Sequence, residues 1–361
     1  MNARENTLSL YRRTGYEWAP VSFSLCPIMH EKMRAAVPEG VSFGEYFDYP
    51  EGFARAGAPG LKRIPRETPD WRSFFPETMH ESTTFSDYGV AHEGGHEGTH
   101  HLFRMHHPMA HFDSLEQLQA YPWPEWDWED TDHIRAAVED AHGRGLPVIA
   151  GMACSVWETS WYIRDMTMLM MDMTMGDEKA VYLLDRVTDD SVRRARVAAE
   201  AGVDLIAMGD DIGMQSTIMM SMEMYREWLK PRLAKVIAAA KAVNPDILIQ
   251  YHSCGYVEPY IPELMEAGVD ILNPVQPECM DFAELHAQYG DRLSFNGTLG
   301  TQTTMPFGTA QDVRDTVFRN LDIAGGKGGL GVCPTHLLEP EVPWENVEAY
   351  VIACRDYSRQ R

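Results

Sequence analysis

Residues 203–254 read VDLIAMGDDIGMQSTIMMSMEMYREWLKPRLAKVIAAAKAVNPDILIQYHSC. The first nine form a short β-rich run, the stretch from Ser221 carries apolar residues at helical spacing, and 246–254 is β-rich again. Ser221 stands where a hydroxyl caps a helix. Two strands joined by a helix of that length run parallel. The alternation extends both ways. Upstream, LPVIAGMAC (146–154) predicts a strand and 177–202 a helix closed by Gly202. Downstream, VDILNPV (269–275), LSFNGT (293–298) and GLGVCP (329–334) predict strands, with helices near 257–267, 281–289, 309–324 and 344–357.

Six parallel strands are thus explicit. APVSFSL (19–25) is a candidate first strand, and one more in the poorly periodic region after it makes eight. The expected fold is α/β, a (β/α)8 TIM barrel with an N-terminal elaboration. The whole chain, 1–361, is expected to be one domain, with 27–145 an irregular elaboration over the barrel mouth. An open doubly wound sheet ranks second, because neither G-x-G-x-x-G nor G-x-x-x-x-G-K-[ST] is present to hold a nucleotide.

The chain has 31 basic and 54 acidic residues, a formal charge of -23. That balance opposes nucleic acid and anionic membranes and suits solubility. No run approaches a membrane span and no signal peptide is evident at the start, so a cytoplasmic protein is expected. Six scattered cysteines suit reduced thiols, some of them free to bind a metal. Seven histidines between 92 and 111 (His92, His96, His100, His101, His106, His107, His111) are interleaved with glycines and are read as a flexible polar loop. The methionines of RDMTMLMMDMTMGD (164–177) are read as helical packing.

Barrel active sites lie at the carboxyl ends of the strands, and here those ends are polar. His252 and Cys254, two apart in extended chain, project to one side and can share a metal. Cys333, at the end of the last strand, is the first candidate for a third ligand. His336, three residues on, is an alternative ligand, second-shell donor or proton carrier. Asp210 and Asp211 are candidate acid/base groups. Gln215, Asn273, Gln276, Asn296 and Glu158 are candidate substrate contacts.

MGDDIGMQ (208–215), 251–277, 289–309 and GGLGVCPTHLLEPEVPWENVEAY (328–350) resemble, in order and spacing, the uroporphyrinogen decarboxylase-like superfamily and, within it, the corrinoid-dependent methyltransferases. HHPMAHFDSLEQLQAYPWPEWD (106–127) is similar to a segment found upstream in that group. The resemblance implies zinc held by His252, Cys254 and a distant Cys, here Cys333. Two departures stand out. The family's last Cys follows a Pro-Gly pair, a register at which this chain has His336, and Gly300 replaces an Asp carried by many relatives. The arginine-rich N-terminal motif of the decarboxylases is missing, with only Arg12 and Arg13 nearby, and no D-x-H-x-x-G corrinoid signature is present.

The resemblance therefore implies transfer of a methyl group from a small methoxylated, aromatic donor to the cobalt of a corrinoid on a separate partner protein. Methylation of a thiol is the alternative, and a metal-independent decarboxylase or a module with a purely structural metal are further rivals. A homodimer is compatible with the sequence.

Overall fold

The computed structural model describes residues 1–65, 67–94 and 103–360. Ten strands are present among them: β1 (Ala56–Gly57), β2 (Thr84–Phe85), β3 (Ala91–Gly94), β4 (Phe103–His106), β5 (Val148–Ala153), β6 (Leu205–Gly209), β7 (Leu248–His252), β8 (Ile271–Asn273), β9 (Ser294–Asn296) and β10 (Leu330–Gly331). Seven form one parallel sheet in the order β1-β5-β6-β7-β8-β9-β10. The sheet curls, and segment 20–25 occupies the eighth position. Val21 donates to Gly52 O on one side, and Leu25 bridges Leu338 on the other. The fold is the expected (β/α)8 barrel. The hidden strand is β1, which lies inside the region assigned to the elaboration.

Both faces of such a sheet are buried, so its strands are near-continuous apolar runs. Outward residues such as Val148, Ile206 and Ile249 join a core with the surrounding helices. Those helices form where periodicity placed them: Glu178–Glu200 starts at its Asp177 cap, and the next begins where Ser221 Oγ accepts the Met224 amide at 3.1 Å. Pro231 has no N–H to donate, and the turn before it widens to π geometry over Tyr225–Leu229.

The amino end of the barrel is plugged. Helix Ala3–Tyr11, opened by a capping box of Asn2 and Glu5, seats Leu10 and Tyr11 against Leu205, Leu248 and Ile271. Burying one such leucine stabilises the plug by about 1.5–3 kcal/mol. Arg4 anchors the helix to the buried Asp204 at 2.8 Å.

At the opposite end, the segment after β4 is fastened to helix Trp157–Arg164, which leaves the carboxyl end of β5. Met109 donates to Ile163 O, and the fully buried Arg164 donates to Met109 O and Phe112 O while pairing with Asp172. The histidine-rich stretch departs from the expected loop: β2, β3 and β4 pair antiparallel, and His106 is held between Glu77 and Glu93 at 2.8 and 3.0 Å. His96, His100 and His101 lie outside the described residues. The methionine stretch is a helix, Met166–Met175, but Met171 and Met175 face solvent rather than the core.

Candidate metal centre

The register of β6 on β7 pairs Gly209 with His252, so the residues that follow each strand rise side by side toward the mouth. Only glycine fits at 209, where a Cβ would strike the His252 backbone. Gly255, at φ +83°, allows the next close approach: a Cβ there would lie 2.6 Å from Met214 O. These contacts bring Asp211 onto His252 and Cys254. The Cys254 amide donates to Asp211 Oδ1 at 2.7 Å, His252 Nε2 is 3.6 Å from the same oxygen, and Cys254 Sγ is 3.5 Å from His252 Nε2. Donor atoms of all three lie within 4.8 Å of one another.

This donor set fits zinc. Tetrahedral bonds of about 2.0 Å to nitrogen and about 2.3 Å to sulfur set those two atoms about 3.5 Å apart, the spacing between His252 and Cys254. The imidazole is oriented for the task, because its Nδ1 lies 2.7 Å from Asn273 Oδ1 and donation there leaves the Nε2 lone pair facing Cys254 and Asp211. Asn273 is fixed in turn by donating to Asn296 O at 2.7 Å. Burial, with the charges of Asp211 and Glu158, pushes the Cys254 thiol up to about 12. A cation among these groups would reverse that balance.

The predicted residues divide into groups. Asp211, His252 and Cys254 form the cluster, and Asp211 and Cys254 line a mouth cavity of about 440 Å³ together with His336, Gln215 and Gln276. His336 is close enough for His252 and Asp211 to act on it, and burial and His252 lower its pKa. Gln276 accepts the Gly255 amide at 3.0 Å, and Gln215 meets Gln302 across the mouth at 3.2 Å. Glu158 supports the cluster from behind: it accepts the Asp211 amide at 3.1 Å and the Tyr162 hydroxyl at 2.7 Å, and burial raises its pKa.

Three residues sit differently from their expected roles. Asp210 is buried and turned away from the cavity, its oxygens taken by the amides of Val156 and Glu158 at 2.9–3.1 Å, where it caps helix Trp157–Arg164. Burial and Glu158 push its pKa up to about 8, while those amides pull the other way. Asn296 supports Asn273 through its carbonyl, and its side chain donates to Gln250 at 2.9 Å. Cys333 is buried below the cluster and donates to Asn296 Oδ1 at 3.3 Å. It is not among the cluster's donors. Sequence reasoning treated Asp211 as an acid/base group; its place beside Cys254 follows from the β6–β7 register, which periodicity alone does not supply.

The described residues contain no helix long and apolar enough to cross a membrane. The model of the family "Uroporphyrinogen decarboxylase (URO-D)" matches residues 104–357. The methylcobamide:CoM methyltransferase MtaA of Methanosarcina barkeri is 28% identical over 223 residues, a match spanning 61% of this chain and 61% of that relative. The structure of a methyltransferase from Methanosarcina mazei superposes with a TM-score of 0.64 at 18% identity, covering 99% of both chains. That likeness concerns the fold, and it agrees with the barrel described above. With the family match spanning well over half of its length, the chain belongs to the uroporphyrinogen decarboxylase (URO-D) family.

Proposed function

We propose that the protein is a zinc-dependent methyltransferase that exchanges a methyl group between the cobalt of a corrinoid, carried by a separate protein, and a small thiol. The Asp211–His252–Cys254 cluster at the barrel mouth carries this reading. The methylcobamide:CoM methyltransferase activity of the M. barkeri relative supports the corrinoid and thiol assignments. So does the mouth cavity, whose lining among the described residues contains no Phe, Tyr or Trp and is rich in amides and hydroxyls: Gln215, Gln276, Thr301, Gln302 and Thr335. A methoxylated aromatic donor, the substrate expected from sequence, would meet no apolar wall there beyond Met214 and Leu337. The abundant aromatics pack elsewhere, as in the group Trp71, Phe74, Phe112 and Tyr121.

In this reading Asp211, His252 and Cys254 hold the ion, which supplies Lewis acidity and lowers the pKa of a thiol beside it. His336 faces the same cavity and is placed to take the thiol proton. Gln215, Gln276 and Gln302 orient the substrate by hydrogen bonds. Asn273 and Glu158 keep His252 and Asp211 in position. Porphyrinogen decarboxylation is disfavoured, since Arg12 donates to Asp246 O and Arg13 to Ser294 Oγ, which leaves neither at the mouth.

The test is to measure zinc by elemental analysis and to follow by absorbance both methylcobalamin demethylation with thiols and cob(I)alamin methylation with methoxylated aromatics and methylamines. One zinc per chain and thiol-dependent demethylation are expected. A metal-free protein that is as active as the loaded one would overturn the reading.

A further inference from the structure

The lumen beneath the metal cluster is not filled. Barrels of this kind pack their lumen with layers of branched side chains. Here Gly57, Gly151, Ala207 and Gly331 line the lumen, leaving a cavity of about 500 Å³. Arg55, an exposed residue, lines its open side. Gly57 pairs with Ile149, which packs on the apolar plug inside the barrel, and Arg55, two residues earlier, shares that face. Its positive charge acts on Tyr11 and on Cys333, both of which line the same cavity.

The cavity offers several donors and no carboxylate. No Asp or Glu lines it, although the chain has 54. Among the described residues Arg55 has no hydrogen-bond or ion-pair partner. Tyr11 is 8% exposed, and its hydroxyl, beside Gly331, likewise has no hydrogen-bond partner among the described residues. Gln250 spends its Oε1 on Asn296, which leaves its amide hydrogens available. Arg55 is exposed at the open side of the cavity and the Tyr11 hydroxyl faces the same space, so an anion entering there accepts from both.

We propose that the lumen is a second ligand site, taking the carboxylate or sulfonate end of a small organic anion on Arg55, Tyr11 and Gln250. The guanidinium presents parallel N–H donors to two oxygens of either group, and the Tyr11 hydroxyl adds another. Ile149 and Leu205 supply an apolar wall for the hydrocarbon part. None of the three donors belongs to the mouth cluster, so the site goes beyond the methyl-transfer reading and is tested separately from it.

The experiment is calorimetric titration of the zinc-loaded protein with propane-1-sulfonate and butyrate, with 1-butanol as the neutral control. Both anions are expected to bind at least about tenfold more tightly than the alcohol, and Arg55→Gln to weaken both by at least about tenfold. Zinc content and Tm should not change in that variant. Tyr11→Phe, which keeps the ring in its slot, should weaken both anions a few-fold and provides an independent check. Equal binding by Arg55→Gln and the wild type, or by the alcohol and the anions, would overturn the proposal. Anion binding that survives Arg55→Gln but disappears when zinc is removed would also overturn it, since the anion would then sit at the mouth.

Discussion

Two cavities open on the inside of this barrel, about 440 Å³ at the mouth and about 500 Å³ in the lumen, and they have opposite chemistry. The same strands build both. On β7, His252 belongs to the mouth cluster, while Gln250, two residues earlier, lines the lumen. The mouth presents lone pairs on a thiol, an imidazole and a carboxylate, a set suited to a cation. The lumen presents N–H and O–H donors around an arginine and contains no acid. Side-chain parity along a strand puts both sets inside, and one step of two residues separates them. Asn296 joins the two levels, supporting Asn273 above and accepting from Cys333 beside the lumen.

The largest expected effect breaks the mouth alone. His252→Ala or Cys254→Ser should abolish stoichiometric zinc and lower thiol methylation by at least about a thousandfold, the equivalent of several kcal/mol of lost charge stabilisation. Cys333→Ser, made on the lumen side, should retain full zinc in the same elemental analysis. Loss of zinc from Cys333→Ser would move that thiol into the metal centre and remove the contrast between the cavities.

Next in size is support from behind the ligands. Asn273→Ala should weaken zinc binding by about 10–100-fold, measured by chelator competition, because the His252 ring loses the acceptor that fixes it. The two neighbouring aspartates should separate cleanly. Asp211→Ala should weaken zinc while leaving stability almost unchanged. Asp210→Ala should retain zinc yet lose about 1–2 kcal/mol in denaturant unfolding, the usual scale for a helix cap.

A smaller effect is the pH dependence of metal binding. The Cys254 thiol, pushed up to about 12, stays protonated through neutral pH and must release one proton to bind an ion. Zinc affinity should therefore rise with pH, by about tenfold per unit between pH 7 and 9. A flat profile in chelator competition would mean that the thiol is not a ligand.

Much of this was legible in the chain, and the illegible parts have physical reasons. The strands from β5 to β10 and their helices follow from apolar runs, caps and glycine stops, and the pairing of His252 with Cys254 follows from strand parity. The strand β1 does not stand out because Ala56–Gly57 is two residues long and carries a single methyl group, too little to create a pattern. Asp210 and Asp211 are adjacent in sequence yet face opposite ways, which only the register of β6 against β7 resolves. Thiolate and imidazole suit zinc equally, so residue type does not separate Cys333 from His336; the structure puts Cys333 on the lumen wall and His336 on the mouth cavity. Nothing in FARAGAPG (53–60) marks Arg55, which lines the lumen cavity only because β1 joins the sheet beside β5.

The proposed metal centre contains Asp211, His252 and Cys254 and excludes Cys333. X-ray absorption at the zinc edge of the thiol-free, zinc-loaded protein counts the sulfur neighbours directly. One sulfur at about 2.3 Å with nitrogen and oxygen at about 2.0 Å is expected. Two sulfurs per zinc, reduced to one by Cys333→Ser, would contradict the account.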